Sequence, residues 1–315
     1  YGTYLVYGIT GSGKTEVYIE MIRRVIGQGR QVIVLIPEIA LTYQTVMRFY
    51  GRFGDRVSVL NSRMSQGERY DQMELVKAGK VDVMIGPRSA LFTPFPRLGL
   101  IVIDEEHETT YKSGQVPRFH ARETAIERAG IEGASVVLGS ATPSLEAFYA
   151  CACGRFRLLR LRNRAGMQKL PTVYVVDMRK EIKAGNRSII SDRLRTLIEA
   201  RLEKKEQIML FLNRRGYAGF VSCRACGYVV KCPHCDVSLS AHRGGKLVCH
   251  YCGHEEPQVS RCPSCGSTYI GGFKAGTQQI EELVMRQFPG ARVLRMDMDT
   301  TRTKDGHEKI LEAFA

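Results

Sequence analysis

Residues 8–15 read Gly8-Ile9-Thr10-Gly11-Ser12-Gly13-Lys14-Thr15, a complete phosphate-binding loop of the pattern G-x-x-x-x-G-K-[ST]. A strand-like apolar run, Tyr4 to Tyr7, precedes the loop, and an amphipathic helix-like segment, Glu16 to Ile26, follows it. Glycines in this context let backbone N–H groups converge on phosphate oxygens at a helix N-terminus. The eight residues therefore predict a nucleotide site, in which Lys14 meets the β- and γ-phosphates and the Thr15 hydroxyl meets a magnesium ion.

The alternation of strand and helix continues outward from this loop. Short β-branched runs, bounded by Gly or polar residues, alternate with amphipathic stretches such as Gln66 to Ala78. The runs are Tyr4 to Tyr7, Val32 to Ile36, Val57 to Leu60, Val81 to Ile85, Leu100 to Ile103 and Val136 to Leu138. Near-continuous apolar strands between helices indicate an α/β fold with a parallel sheet covered on both faces. Ligands of such sheets bind at the carboxyl ends of the strands.

An acidic run, Asp104-Glu105-Glu106-His107, ends one of these apolar strands. A phosphate-binding loop that hydrolyses a nucleotide needs one carboxylate to hold the metal and another to polarise the attacking water. We expect Asp104 to be the metal partner and Glu105 the general base. A solvated acidic loop of no catalytic role is the alternative interpretation.

The composition restricts the class of protein. The chain has 315 residues, 44% of them hydrophobic, which excludes collagen-like, mucin-like and wholly disordered proteins. Its apolar runs are strand-length and far shorter than the roughly 20 residues of a membrane helix, so no membrane partner is expected. A net charge of +14 favours a polyanionic partner, most often nucleic acid, although a soluble basic protein with no such partner also has this charge.

Residues 109–122 mix aromatic and cationic side chains between the acidic run and the segment 139–144. Aromatic rings stack on unpaired bases while Lys and Arg follow phosphates, so the composition suits single-stranded DNA. The candidate DNA contacts are Tyr111, Lys112, Arg118, Phe119 and Arg122. The alternative is that Tyr111 and Phe119 fill the hydrophobic core.

Eight of the ten cysteines form four C-x-x-C pairs, flanked by the Pro and Gly residues typical of zinc knuckles. Thirteen residues separate Cys235 from Cys249, a ribbon-like spacing. We therefore predict two structural zinc ions, an inner site of Cys232, Cys235, Cys249 and Cys252 and an outer site of Cys223, Cys226, Cys262 and Cys265. His234, His242, His250 and His254 are nearby alternative ligands, whereas Cys151 and Cys153 are predicted to be ordinary buried thiols.

The metal spacings also indicate a reducing compartment, so a cytoplasmic location is expected. The sequence shows no signal peptide and begins without Met, which leads us to expect a piece of a longer polypeptide. Eight thiolates with two zinc ions would lower the net charge by four, to about +10. The chain would remain basic, and the nucleic-acid hypothesis is unaffected.

A second α/β pattern follows the first. It begins after a strand-like run at Phe156 to Leu161, with strands expected at Val173 to Val176 and Ile208 to Leu212 and a helix at Asp192 to Glu203. The cysteine array then interrupts it. We predict a first domain at residues 1–160, a second at 161–222 and 268–315, and a zinc-binding insertion at 223–267.

Several segments together resemble a known family. Asp-Glu-x-His at 104–107, Pro-Glu-Ile-Ala-Leu-Thr at 37–42 and Gly-Ser-Ala-Thr-Pro-Ser at 139–144 resemble motifs of superfamily 2 helicases and translocases. The segments 118–122, 211–217, 276–283 and 296–301, combined with the eight cysteines, narrow the match. Over essentially its whole length the chain resembles the primosomal protein N′ (PriA) replication-restart helicases.

The resemblance implies two RecA-like domains, the second incomplete here and carrying the zinc module. It implies a 3′ to 5′ DNA helicase that uses ATP and magnesium to translocate on single-stranded DNA at stalled or repaired forks. Its partners would be forked or single-stranded DNA, primosome proteins and single-strand-binding proteins. By the same resemblance, Ser140, Ala141 and Thr142 couple hydrolysis to strand binding, and residues 37–42 contact the nucleic-acid backbone.

The sequence also departs from the family pattern. The family's later Gly-Thr-Gln and arginine motifs, and its amino-terminal DNA-binding regions, are absent from these residues. An arginine at the second face of the nucleotide is worth roughly 10³ to 10⁵ in turnover in other P-loop enzymes. We therefore expect this chain to bind ATP and zinc but to hydrolyse poorly and unwind little. Arg214 and Arg215 suit DNA or interdomain contacts at least as well as a substitute role.

Two rival functions stay open at this point. One is a DNA-dependent P-loop translocase that does not separate strands. The other is a zinc-ribbon interaction scaffold with a vestigial ATPase. Intact Lys14, Thr15, Asp104 and Glu105 argue against the scaffold, because decay of a site usually removes one such residue first.

Overall fold

The computed structural model describes residues 1–37, 43–62, 64–167, 170–186, 188–212, 220–242, 245–272, 276–297, 300–301 and 306–315. The chain divides into two compact units, Tyr1–Pro171 and Thr172–Ala315. The domain limits predicted at residues 160, 222 and 267 stay predictions. Within the described residues, no helix is long and apolar enough to cross a membrane.

A seven-stranded sheet forms the centre of the first unit, and all of its neighbouring strands are parallel. Its strands are β1 (Thr3–Gly8), β2 (Gln31–Leu35), β3 (Val57–Val59), β4 (Val83–Gly86), β5 (Leu98–Asp104), β6 (Ser135–Ser140) and β7 (Arg157–Leu161). Their order across the sheet is β3-β4-β2-β5-β6-β1-β7. The parallel sheet predicted from the apolar runs is confirmed, and β1, β5 and β6 lie side by side.

Helices cover both faces of this sheet, because successive residues of each strand point to opposite sides. In β2, Ile33 and Leu35 enter one core cluster and Val32 and Val34 enter another, and all five residues of the strand are buried. The helices are α1 (Lys14–Gly27), α2 (Tyr43–Phe53), α3 (Gln66–Lys77), α4 (Ala121–Glu132) and α5 (Leu145–Ala152). Short 3₁₀ helices lie at Gly54–Arg56, Arg88–Phe92, Thr109–Tyr111 and Ala165–Met167.

The second unit combines short helices with two small antiparallel sheets. It contains α6 (Met178–Lys183), α7 (Asp192–Glu203), β8 (Val221–Cys223), β9 (Ser240–His242), β10 (Lys246–Val248), β11 (Glu255–Pro257), β12 (Ile270–Gly272), α8 (Thr277–Gln287) and α9 (Gly306–Phe314). Strands β9, β10 and β11 form one sheet, and β8 pairs with β12. One apolar cluster includes the buried cysteines, and a second joins Ile198 of α7 to Ile280 and Val284 of α8.

The α/β class with a P-loop sheet and a two-site cysteine module is confirmed. The predicted helix at 192–203 is also confirmed. The strands predicted at 173–176 and 208–212 are wrong, because neither segment pairs with a strand among the described residues. Most of their apolar side chains lie in solvent, with Val175 96% and Phe211 83% exposed, although Ile208 packs against an apolar cluster. β-branched composition alone does not make a strand without a hydrogen-bonded neighbour.

Candidate nucleotide site and metal centres

The phosphate-binding loop lies between β1, which ends at Gly8, and α1, which begins at Lys14. Gly11 and Gly13 have φ values of 80° and 87°, in the left-handed region that glycine adopts without a steric penalty. A Cβ added at Gly8 would lie 2.5 Å from Ser12 Oγ and 2.8 Å from Leu161 Cβ. Two constraints therefore require glycine in the loop, a conformational one at Gly11 and Gly13 and a steric one at Gly8.

Polar groups of the loop suit a phosphate and its magnesium ion. The Lys14 ammonium donates to the Gly8 carbonyl at 2.9 Å, so it folds back across the loop. Ser12 Oγ is buried and has no hydrogen-bond partner among the described residues, which is costly unless a ligand supplies one. Magnesium prefers carboxylate and hydroxyl oxygens with phosphate, the donor set that Asp104 and Thr15 offer. The residues present therefore fit ATP with magnesium.

Asp104 and Glu105 stand where β5 ends. Asp104 Oδ1 accepts a hydrogen bond from the Tyr18 hydroxyl at 3.1 Å. Burial raises the pKa of Asp104, and the hydrogen bond from Tyr18 and the charge of Lys14 oppose that rise. Burial and the neighbouring Asp104 charge raise the pKa of Glu105. Burial and the Asp104 carboxylate raise the pKa of Tyr18 above its usual range, so this phenol remains a donor.

Glu105 has a φ of 47°, an uncommon backbone conformation for a residue that is not glycine. Such conformations cost free energy and concentrate at functional sites. His107 Nδ1 lies 3.6 Å from Glu105 Oε2. The predicted general base therefore occupies a strained position beside an imidazole that faces its carboxylate.

The acidic run contacts the predicted coupling segment directly, because β5 and β6 are neighbours. His107 Nδ1 and Ser140 Oγ are 2.8 Å apart, and Ser140 Oγ accepts from the Thr142 N–H at 2.9 Å. The Glu106 N–H donates to the Gly139 carbonyl at 3.0 Å. Ala141 lies within this turn between Ser140 and Thr142.

Glu106 is buried, and no role was predicted for it from the sequence. Its carboxylate is fully buried and accepts from Arg122 Nη1 at 3.1 Å, from the Ser144 N–H at 2.7 Å and from Ser144 Oγ at 2.9 Å. Ser144 is also the N-cap of α5, where its side chain accepts from the Ala147 N–H. This network ties the acidic run to α4 and α5. The N-cap pattern was readable from the sequence, but the pairing with Glu106 was not.

The five candidate DNA contacts divide into buried and exposed residues. Tyr111 is only 1% exposed, and its hydroxyl donates to the carbonyls of Leu35 at 3.0 Å and Asp104 at 2.6 Å. The Arg122 guanidinium is buried against Glu106. Phe119 packs edge-to-face on Phe92 with ring centroids 5.1 Å apart.

Tyr111 and Arg122 therefore lack a free surface for a base or phosphate, and the expectation that they contact DNA is corrected. For Tyr111 the core interpretation is the one that the structure supports, and the half-buried Phe119 ring packs on the same core cluster. Lys112 and Arg118 are exposed and keep the proposed role.

Three of the predicted segments lie partly outside the described residues. They are the segment at 37–42 beyond Pro37, the segment at 211–217 from residue 213 on, including Arg214 and Arg215, and residues 298 and 299 of the segment 296–301.

The eight cysteines of the second unit gather into two groups of four. Cys223, Cys226, Cys262 and Cys265 form one group, and Cys232, Cys235, Cys249 and Cys252 form the other. Sγ–Sγ distances of 3.6 and 3.7 Å match the edge of about 3.8 Å expected for four thiolates at 2.3 Å from a tetrahedral zinc ion. The inner and outer pairing predicted from the spacing is confirmed, and both groups fit zinc.

A repeated turn presents the thiolates of each group. In all four turns, the backbone N–H four residues after the first cysteine donates to that cysteine's carbonyl, at 2.8 to 3.0 Å. The donors are Gly227, Asp236, Gly253 and Gly266, all with positive φ. The sequence showed glycine after three of the four pairs, and the structure shows that Asp236 adopts the same left-handed conformation.

The four nearby histidines pair with one another. His242 Nε2 and His250 Nε2 are 3.2 Å apart, and the rings of His234 and His254 stack edge-to-face. Among the described residues, the two groups that satisfy a metal-ligand arrangement contain cysteines alone. Cys151 and Cys153 lie outside both groups, as predicted, but the expectation that they are buried is corrected, because Cys151 is half-buried and Cys153 is exposed.

Comparisons with known protein families agree with this geometry. Residues 3–149 match the family described as "DEAD/DEAH box helicase". Residues 232–257 match the family described as "PriA DNA helicase Cys-rich region (CRR) domain".

Curated relatives are similar along the whole chain. The chain is 51% identical to the replication restart protein PriA of Bacillus subtilis (strain 168), over 99% of the chain and 39% of that relative. It is 47% identical to the replication restart protein PriA of Synechocystis sp., over 100% of the chain and 39% of that relative. The chain thus spans about two fifths of the length of these relatives.

Solved structures are more distant. A crystal structure of the helicase MrfA bound to DNA and AMPPNP aligns with a TM-score of 0.46 and 18% identity, over 68% of this chain and 32% of that one. The Hef helicase domain of Pyrococcus furiosus aligns with a TM-score of 0.41 and 17% identity, over 64% and 44% of the two chains. Likenesses of this size carry no argument about the site.

Proposed function

The chain belongs to the family of the replication restart protein PriA, and from this premise we propose that it forms the ATP-driven motor core of a DNA helicase acting at stalled or repaired replication forks. Its substrate would be forked or single-stranded DNA, along which it moves 3′ to 5′. Primosome and single-strand-binding proteins would be its partners, in the cytoplasm. The name of the relatives, replication restart protein, supports a role in restarting replication. The direction of movement along DNA and the partner proteins are supported by the family resemblance.

One observation carries the ATPase part of the proposal, namely the contact between the acidic run and the segment 139–144. The charge of Lys14 in the nucleotide loop acts on Glu105, His107 Nδ1 lies 3.6 Å from Glu105 Oε2, and His107 reaches Ser140 at 2.8 Å. Movement of a γ-phosphate or its attacking water would therefore be passed from Glu105 to His107 by direct contact, and from His107 to Ser140 of β6 by a hydrogen bond. Lys14 and Thr15 would bind ATP and magnesium, and Glu105 would act as the general base.

Charge supports the choice of DNA. The net charge is +14, and it remains about +10 with two zinc ions bound. Lys112 and Arg118 are exposed in the segment that follows the acidic run, so both side chains are available to contact phosphates. The two zinc ions would be structural, because four thiolates close each tetrahedral site.

The proposal includes slow turnover by these 315 residues alone. Stabilisation of the transferred phosphoryl group by an arginine is worth roughly 10³ to 10⁵ in related P-loop enzymes. The family resemblance supports the view that such an arginine belongs to a later motif. A longer polypeptide that extends the chain in both directions would then turn over faster.

DNA-dependent ATP hydrolysis tests the proposal, measured for wild type and Lys14→Ala in this chain and in the longer polypeptide. We expect activity in the longer wild type, little in this chain and none in either Lys14→Ala variant. Hydrolysis stimulated by DNA without strand displacement by the longer wild type would favour the translocase instead. Inactivity of the longer wild type with every DNA structure would contradict the proposal and favour the zinc scaffold.

A further inference from the structure

Tyr18 is a fully buried tyrosine at the centre of the candidate nucleotide site. It lies on α1 one turn after Lys14, and its side chain is 1% exposed within the core cluster that also contains Val6 and Val102. Its hydroxyl donates to Asp104 Oδ1 at 3.1 Å, across 86 residues of sequence. A buried hydroxyl costs free energy unless it is hydrogen-bonded, so this contact is the reason that a phenol rather than a phenyl ring is tolerated here.

The neighbouring strand is shaped around the same hydroxyl. A Cβ added at Gly139 would lie 1.6 Å from Tyr18 Oη, 2.7 Å from Cζ and 3.4 Å from Asp104 Oδ1. No side chain at position 139 is therefore compatible with the hydroxyl in its present place. Gly139 has no positive φ, so the close approach of Tyr18 is what requires glycine. Three segments of the site, α1, β5 and β6, thus meet at one oxygen atom.

We propose that Tyr18 is a positioning residue, whose hydroxyl holds the Asp104 carboxylate in the orientation that receives the magnesium ion of bound ATP. The inference rests on the proposed function, because it assigns to Tyr18 a part in that site. Because Asp104 Oδ1 accepts this hydrogen bond, rotation of the carboxylate is restricted. Its other oxygen, Oδ2, would then be available to the metal ion. Groups that orient metal ligands in this way typically contribute 10-fold to 100-fold to metal affinity or activity.

A tyrosine that merely fills the core predicts a different result, because phenylalanine fills almost the same volume. The test is Tyr18→Phe in the 315-residue chain, with binding of a fluorescent ATP analogue titrated with Mg²⁺. We expect the Mg²⁺ concentration for half-maximal tight binding to rise about 10-fold. Affinity for the analogue without added Mg²⁺ should stay at the wild-type value, because the phosphate-binding loop is untouched.

Tyr50→Phe is the matched control, since Tyr50 on α2 packs against the same core cluster without touching Asp104. It should leave both measurements unchanged. Gly139→Ala is the second variant, which displaces the hydroxyl while keeping the phenol, and it should raise the Mg²⁺ requirement in the same direction. If Tyr18→Phe does not fold, Gly139→Ala decides the question alone.

Two results would overturn the inference while leaving the proposed function intact. One is an unchanged Mg²⁺ requirement in Tyr18→Phe. The other is an equal loss of affinity with and without Mg²⁺, which is what a purely structural residue gives. Absence of Mg²⁺-dependent binding in the wild type would contradict the proposed function itself, and the inference with it.

Discussion

At the residue scale, Glu106 is the clearest case of a side chain whose surroundings decide its role. It follows the two carboxylates proposed to be catalytic, Asp104 and Glu105, yet its own carboxylate is fully buried and hydrogen-bonded to Arg122 and Ser144. A buried carboxylate is stable only when paired, and removing one partner leaves an uncompensated charge. Glu106 therefore links the acidic run to α4 and α5 through a buried ion pair and hydrogen bonds.

Glu106→Gln should lower the free energy of unfolding by about 3 to 5 kcal/mol, because Arg122 would lose its buried counter-charge. Guanidinium unfolding of the chain measures this change. Glu123→Gln, at an exposed position of the same helix as Arg122, should change the stability by no more than about 0.5 kcal/mol. Equal stabilities of the two variants would show that the buried pair contributes nothing.

Lys112 and Arg118 are the exposed cations of the segment after the acidic run, and their predicted role is to contact phosphates. Lys112→Ala or Arg118→Ala should weaken binding to single-stranded DNA of any sequence. Each lost contact should reduce the slope of log K against log salt concentration by about 0.7. Fluorescence anisotropy at several salt concentrations gives this slope.

Lys80→Ala removes the same charge from a different place on the first unit. Lys80 is also exposed, but it lies before the amino end of β4, whereas Lys112 and Arg118 follow the carboxyl end of β5. It is the control for net charge. If all three variants lose affinity equally, general electrostatic attraction and not a defined DNA path accounts for binding.

At the element scale, the four cysteine turns show how a local conformation supports a metal site. Asp236 and Gly253 follow the second cysteine of the two turns that form the inner site, and both have left-handed φ, 53° and 76°. A non-glycine residue pays roughly 1 to 2 kcal/mol in this conformation, less when it is Asp or Asn. The two positions therefore form a natural pair of test sites within one metal centre.

Gly253→Ala should weaken zinc binding at the inner site by roughly 1 to 2 kcal/mol, about 10-fold in affinity. Apart from its chain neighbours, no atom of the described residues lies within 4 Å of the added Cβ, so the loss comes from the backbone conformation and not from a clash. Asp236→Gly should bind zinc at least as tightly as wild type, since it removes the strain and only an exposed ion pair with Lys231. Competition with a chromophoric chelator measures both, and a weaker Asp236→Gly would contradict the argument.

The sequence predicted elements well where the fold supplies the hydrogen-bonded partner that the local pattern needs. The six apolar runs are strands because each has a parallel neighbour, and the C-x-x-C spacings form turns that need only four residues. The strands predicted at 173–176 and 208–212 are wrong, because the sequence of a segment does not show whether another strand pairs with it. For the site, the glycine loop, the carboxylates and the cysteines were predictable.

Tyr18, Gly139 and Glu106 were not predictable, since their roles depend on distances between segments far apart in the chain. Tyr111 is the opposite case, a residue for which the sequence predicted a role that the structure corrects. Its aromatic and cationic neighbours predicted a DNA contact, and only the tertiary structure shows that its hydroxyl is used by two backbone carbonyls. Residue composition describes what a segment can contact, whereas burial decides which of those contacts remains available.

At the scale of the whole molecule, the two units depend on different sources of stability. The first unit buries two large apolar clusters on the faces of its sheet. The cysteine module of the second unit has one small cluster, in which four of the nine buried members are cysteines. Small modules of this kind fold with their metal, whose binding contributes about 10 to 16 kcal/mol in zinc-finger peptides.

Loss of zinc and loss of ATP binding should therefore be separable in the intact chain. A Cys232→Ser, Cys249→Ser variant should lose one zinc ion per chain and the protease resistance of residues around the inner site, because a two-thiolate site no longer closes a tetrahedron. Its affinity for a fluorescent ATP analogue should match that of wild type, since the nucleotide loop is held by the first unit's own core. Lys14→Ala should show the converse, with two zinc ions by atomic absorption and no tight ATP binding. A fall in ATP affinity in step with zinc loss would show instead that the first unit depends on the metal centres for its fold.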